Sequence, residues 1–236
     1  ETGVNFATGD LIVTTDADCT AGPGWLKTIA HCYENSSVKF IAGPVKMNRL
    51  NGPLFSFQSL DFLSLQGITA ASVHNGFHSM CNGANLAYTR EAFLSVDGFT
   101  GIDSLASGDD MLLMHKIATG FPGEVRYLKS KAAIVTTEPA KTTREFLQQR
   151  IRWASKAQAY EDKSVFRVLL LVYLLNLLLL IILIAAFFSF HQLLWALLFL
   201  GIKTGIELPF MNAVARFYKE RRLLFSFPFF QPAHII

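Results

Sequence analysis

Residues 168–190 constrain this chain more than any other stretch. The run holds 23 residues and no charge, and its only polar side chains are Tyr173, Asn176 and Ser189. As an α-helix it spans roughly 34 Å, enough for a bilayer hydrocarbon core about 30 Å thick. A helix this long and apolar on every side has no face to turn to water, so it belongs in lipid or deep inside a large protein. A second apolar stretch, residues 193–211, follows a polar pair at His191 and Gln192, where the sequence predicts a break. It carries Lys203 and Glu207, four residues apart and therefore on one helical face, where they can pair.

The basic residues orient these two stretches. Lys156, Lys163 and Arg167 precede the first; Arg216, Lys219, Arg221 and Arg222 follow the second; the connection has neither Lys nor Arg. A helical hairpin with both flanks in the cytoplasm satisfies the positive-inside rule. The formal charge of +3 is then a juxtamembrane property. No stripe of interleaved basic and aromatic residues points to nucleic acid, so the partners expected are membrane lipid and small molecules. Hydrophobic residues make up 51% of the chain, and that excess is concentrated after residue 165. The three cysteines, Cys19, Cys32 and Cys81, lack metal-ligand spacing and read as free thiols.

Three segments follow: a globular part over 1–164, the hairpin over 165–211 and a basic or interfacial segment over 212–236. In the first, residues 11–15 read as a buried strand, 25–33 as a helix and 38–45 as one further strand. Helical spacing runs over 55–71, and a Gly/Asn-rich turn at 82–85 precedes another short strand. Residues 109–118 read as a helix, 124–128 and 132–136 as strands, and 142–163 as one amphipathic helix entering the membrane. Strands alternating with helices argue for an α/β architecture, in which ligands sit beyond the carboxyl ends of strands.

Three groups of residues can carry chemistry. Asp16 and Asp18 flank one residue at a strand end; such paired oxygen ligands suit a hard divalent cation, Mg²⁺ or Mn²⁺, although Asp-x-Asp also serves in solvated turns. Ser107-Gly108-Asp109-Asp110 opens an apolar helix, where acids satisfy free N–H groups and suit the helix dipole with or without a catalytic role. Gln149-Arg150-Ile151-Arg152-Trp153 offers a planar permanent cation for phosphate oxygens and a flat ring for a sugar. The plainer reading of Arg144, Arg150 and Lys156 is a basic helix resting on the membrane. His74 and His78 read as solvated loop residues.

Taken in order, Asp-x-Asp, Asp-Asp and Gln-x-x-Arg-Trp followed by a membrane hairpin resemble the family 2 glycosyltransferases. Residues 81–93, with Gly98 and Phe99, resemble the segment that this family places between the first two motifs. The resemblance implies a GT-A type nucleotide-diphospho-sugar transferase domain, here partial, followed by the transmembrane hairpin. It implies an inverting enzyme that uses a nucleotide-sugar donor and a lipid-linked or growing glycan acceptor at the cytoplasmic membrane face. It also implies Asp110 as the general base and Asp18 as ligand to Mg²⁺ or Mn²⁺, with Asp16 nearer the nucleotide. Arg152 and Gln149 then meet the diphosphate, while Asn82, Gly83, Asn85, Asp109 and Trp153 line the sugar or acceptor pocket. The family's domain begins with a strand and an acidic residue that hold the base and ribose. Nothing before Asp16 supplies them, and the chain opens on Glu1, so the expectation is a fragment. Two other classes compete: a catalytically inactive homologue serving as a scaffold, and a transporter subunit, for which Lys203 and Glu207 are the only support.

Overall fold

The computed structural model describes residues 2–78, 80–102, 108–155 and 163–233. Ser107 and Lys156, both named above, lie outside the described residues. The chain divides into two compact units, Glu1–Arg49 with Leu65–Trp153, and Leu50–Ser64 with Ala154–Ile236.

In the first unit a four-stranded sheet is built from β1 (Leu11–Thr14), β5 (Leu86–Thr89), β3 (Phe40–Ala42) and β6 (Val125–Tyr127), in that spatial order. β5 runs antiparallel to both neighbours, and β3 and β6 are parallel. The period-two alternation of a strand sorts its side chains between two layers. Phe40, Ala42, Leu86 and Tyr88 face a core with Met114, Leu113 and Ile117 of helix α5 (Asp109–Gly120). Ile41 and Ala87 point the other way, onto Ile29 of helix α2 (Trp25–Glu34). Helices therefore cover both faces, which explains why β3 and β5 are apolar at consecutive positions rather than alternating. The remaining elements of the unit include α1 (Thr2–Phe6), whose Val4 joins the α5-side core, and α4 (Arg90–Ser95), capped by the Thr89 hydroxyl accepting from Ala92 N–H at 3.1 Å.

A second sheet, of three short strands, lies at the carboxyl ends of β1 and β3 in the chain path. Its order is β2 (Thr20–Ala21), β7 (Val135–Thr137) and β4 (Val45–Met47). Its existence corrects the expectation of one strand over 38–45. The segment breaks at Gly43-Pro44, and β3 and β4 belong to different sheets. Pro44 lacks the N–H that a continuing ladder requires, which gives the break its cause. The strand expected over 132–136 is likewise shortened, because a 3-10 turn at Lys131–Ala133 leads into β7.

Helix α3 (Pro53–His74) is one continuous element whose first residues group with the second unit and whose last ones group with the first. Helix α6 is described over Thr143–Ser155, and residues 156–162 of the helix expected over 142–163 lie outside the described residues. In the second unit α7 (Lys163–Ala185) and α8 (Phe190–Phe217) pack against each other. A connection of four residues, 186–189, makes them an antiparallel hairpin. The break thus falls before His191 and Gln192, which are helical. His191 stays in the helix because its Nε2 accepts from Trp195 Nε1 at 3.0 Å, one turn on. Both helices are long and apolar enough to cross a membrane, and only 6% of each one's most apolar window is buried. The core helix of a soluble protein would be mostly buried; these two expose apolar side chains along their length, Leu171 on α7 at 59% and Ile206 on α8 at 73%, and could form a transmembrane hairpin. Beyond α8 a 3-10 turn (Arg221–Phe225) and α9 (Phe227–Phe230) complete the unit, with Phe230 edge-on to Phe57 of α3 at 5.5 Å.

Candidate active site

The site begins where β1 stops. Past Thr14 the chain turns, with Cys19 N–H donating to Asp16 C=O at 3.1 Å, and both Asp16 and Asp18 are exposed. One ligand atom from each of Asp16, Asp18 and Cys19 lies within 4.8 Å of the others. The Cys19 thiol contacts Asp18 Oδ1 at 3.7 Å. Burial pushes that thiol above its ordinary pKa; the Asp18 and Asp16 charges act the same way, and a hydrogen bond with Thr137 opposes them. Two exposed carboxylates are hard oxygen donors with coordination positions left for water and phosphate oxygens, a donor set that fits Mg²⁺ or Mn²⁺.

Asp109 and Asp110 stand in the first turn of α5. Gly108 precedes them with φ +107°, a left-handed value that a side chain would resist, so the helix starts abruptly and leads with its acids. The helix dipole favours this placement, and the capping role and a chemical role are compatible. The Asp110 carboxylate is held at both oxygens: Oδ1 accepts from Met111 N–H at 2.8 Å and Oδ2 from Gly83 N–H at 2.9 Å. Nothing in the sequence marked Gly83 as a partner of Asp110, because the bond is made by the backbone.

One carboxyl group reports how the motifs meet. The Asp16 carboxyl, though it reaches solvent, is pushed above its ordinary pKa, by partial burial first and then by the negative charges of Asp18, Asp110 and Asp109, while Arg152 pulls it down. Residues from three distant motifs therefore share one electrostatic neighbourhood, and its balance is negative. On α6, Gln149, Arg152 and Trp153 stand at i, i+3 and i+4 and so occupy one face. The opposite face carries Leu147 and Ile151, 54% and 70% exposed. Arg150 lies over the Trp153 ring at 5.8 Å, a cation–π contact. The Gln149 Oε1 is buried without a hydrogen-bond partner among the described residues, an arrangement that demands a reason.

Two expectations change. Asn82 precedes Gly83 and caps the 3-10 turn Gly83–Asn85 by accepting from Ala84 N–H at 3.0 Å. Asn85, expected to line the sugar pocket, is 0% exposed and its carboxamide is committed elsewhere. Its Nδ2 donates to Pro44 C=O at 2.9 Å and Ala133 C=O at 2.8 Å, and its Oδ1 accepts from Trp25 Nε1 at 2.9 Å. With these bonds made and no exposed surface, it is a clamp inside the protein. His78 is half-buried rather than solvated; burial, then His115, lowers its pKa, while His74 closes α3 in solvent.

The model of the family described as Glycosyl transferase family group 2 matches residues 11–217. Over 99 residues the chain is 27% identical to the glucosyl-dolichyl phosphate glucuronosyltransferase of Haloferax volcanii, a match covering 41% of this chain and 32% of that protein. Over 176 residues it is 28% identical to an N-acetylglucosaminyltransferase of Rhizobium leguminosarum bv. viciae, covering 71% of this chain and 39% of that one. The chain thus spans well under half the length of these curated relatives.

Proposed function

The chain belongs to glycosyl transferase family group 2, and from that premise we propose that it carries the metal, base and leaving-group side of an inverting glycosyltransferase. The donor is a nucleotide-sugar, and the acceptor is a lipid-linked or growing glycan at the cytoplasmic membrane face. The observation that carries this reading is the Asp16, Asp18 and Cys19 group after β1, with ligand atoms within 4.8 Å of one another, together with the Asp110 carboxylate held by the Gly83 and Met111 N–H groups; the charges of Asp18, Asp109, Asp110 and Arg152 acting on Asp16 support it. Four acids and one cation, exposed or half-exposed, carry a formal surplus of negative charge. A divalent cation with a diphosphate completes the group, since the cation answers the acids and Arg152 answers the phosphates.

Asp110 accepts the proton of the acceptor hydroxyl as its oxygen bonds to the anomeric carbon, while the bond from that carbon to the diphosphate oxygen breaks on the opposite side. General-base assistance of this kind is worth about 10²–10⁴ in rate. Asp18, with Asp16 beside it, would hold Mg²⁺ or Mn²⁺, which would supply positive charge against the departing diphosphate. Arg152 adds bidentate hydrogen bonds to the same group, and Gln149 has an acceptor to offer. Asn82, Gly83, Asp109 and Trp153 shape the space for the sugar and acceptor. The globular part over 1–164 performs this chemistry, the hairpin over 165–211 anchors it, and 212–236 lies at the membrane surface. The exposed Leu147 and Ile151 support α6 lying along that surface, with its opposite face at the site. The names of the two relatives, one referring to a dolichyl phosphate-linked glucose and the other to N-acetylglucosamine, support sugar acceptors and donors of this kind.

Membranes containing the full-length protein are incubated with a panel of labelled nucleotide-sugars, and the products are separated into lipid-soluble and polymeric fractions. Label in one fraction, lost in Asp110→Asn, is the expected result. Transfer that survives Asp110→Asn removes the base assignment, and no transfer from any donor favours a scaffold.

A further inference from the structure

The Asp110 carboxylate has two backbone donors of different kinds. Met111 N–H belongs to the same helix and moves with it, whereas Gly83 N–H reaches over from the turn ahead of β5. The second bond fixes the carboxylate relative to the rest of the site, so whatever fixes that turn fixes Asp110. Within the turn, Asn85 N–H donates to Asn82 C=O at 3.1 Å. Its far end is held by Asn85, whose carboxamide joins three separate segments: the β3–β4 connection at Pro44, the approach to β7 at Ala133 and the start of α2 at Trp25. The Asn85 carbonyl also accepts from Gly43 N–H at 2.8 Å. A Cβ on Gly43 would overlap the Asn85 carboxamide, so glycine is required there for the clamp to close.

We propose that Asn85 is a positioning residue: through the Gly83–Asn85 turn it sets the direction of the Gly83 N–H and hence the aim of the Asp110 carboxylate. The proposal rests on the reading of Asp110 as the base. Asn85 touches no substrate. An aspartate in its place has the same shape but no Nδ2 donors, so the Pro44 and Ala133 carbonyls lose their partner and face an added negative charge. The turn relaxes, and the Gly83 N–H is no longer held on Oδ2. Misaiming a catalytic group by a fraction of an ångström costs rate rather than binding.

The test compares Asn85→Asp, Trp25→Phe and Asp110→Asn in the full-length protein in membranes, with kcat, KM and donor affinity measured for each. Trp25→Phe removes the indole N–H donor to Asn85 and keeps a smaller aromatic ring in its place, so it reads the same clamp if Asn85→Asp does not fold. The expected result is a kcat lowered by about tenfold to a hundredfold in Asn85→Asp and by a smaller factor in Trp25→Phe, with donor affinity within about twofold of wild type. In the Asp110→Asn background, Asn85→Asp or Trp25→Phe should have almost no further effect, because residues acting through one group are not additive. Equal losses of kcat and donor affinity, or full additivity with Asp110→Asn, would make Asn85 a purely structural residue and overturn the proposal. Normal turnover in Asp110→Asn is a separate failure, that of the base itself.

Discussion

The molecule holds two clusters of charge built on opposite plans. In the first unit Asp18, Asp109, Asp110 and Arg152, exposed or half-exposed, all act on Asp16, whose pKa is raised by burial first and then by the three negative charges. In the second unit Lys203, Glu207 and Gln231 close a ring. Lys203 Nζ donates to Glu207 Oε1 and to Gln231 Oε1, and Gln231 Nε2 donates to Glu207 Oε2, each at 2.7 Å. That ring is neutral and internally satisfied, and it ties the segment after α8 back to α8. The contrast separates two uses of ionisable groups. A cluster that has balanced its own charge can serve structure alone; under the proposed function, the acidic one is completed by the ligand it binds. Lys203 and Glu207, the only features that suggested a transporter, fall on the structural side.

The comparison can be broken most severely at the open cluster. Asp110→Asn should lower kcat by about 10²–10⁴-fold with donor affinity nearly unchanged, measured by transfer and by nucleotide-sugar binding. Next in size, Asp18→Asn should weaken Mn²⁺ binding at least about tenfold, since cation affinity follows the charge of the ligand set, and chelation of wild type should stop transfer until Mg²⁺ or Mn²⁺ is restored. For the closed ring the expected effect is on stability alone. Glu207→Ala should cost about 1–2 kcal/mol in a detergent unfolding assay, with kcat of the surviving folded fraction unchanged. Replacing all three members together, Lys203→Met with Glu207→Leu and Gln231→Met, should cost less than that single change, because no charge is left uncompensated. The smallest effect belongs to Lys39 and Glu91, an ion pair at 2.7 Å whose carboxylate side chain is 72% exposed. Lys39→Ala should change the unfolding midpoint by an amount equivalent to less than about 1 kcal/mol.

Much of this was legible in the sequence where the signal is local. An uncharged run of 23 residues points to a long apolar helix, and glycine followed by two acids and an apolar run points to a helix start. The order of Asp16, Asp18, Asp109, Asp110, Gln149 and Arg152 suggests a shared site from the sequence alone. What escaped is long-range or made by the backbone. Asn85 reaches its three partners across 41, 48 and 60 residues, so a polar residue that looked available for a sugar is consumed by the interior. The Gly83 N–H leaves no mark on side-chain patterns. Gly43-Pro44 sits inside a β-branched and aromatic segment, and only the second sheet shows that the chain changes partners there. His191 reads as a helix breaker by polarity, but Trp195 one turn later satisfies it.

The difference between the open and closed clusters is tested most directly by Mn²⁺ binding to the purified full-length protein in lipid nanodiscs, followed by electron paramagnetic resonance with a nucleoside diphosphate present. The account predicts one strong site that is lost in the double variant Asp16→Asn with Asp18→Asn and retained in Glu207→Gln. Undiminished Mn²⁺ binding in the double variant, or its loss in Glu207→Gln, would contradict it.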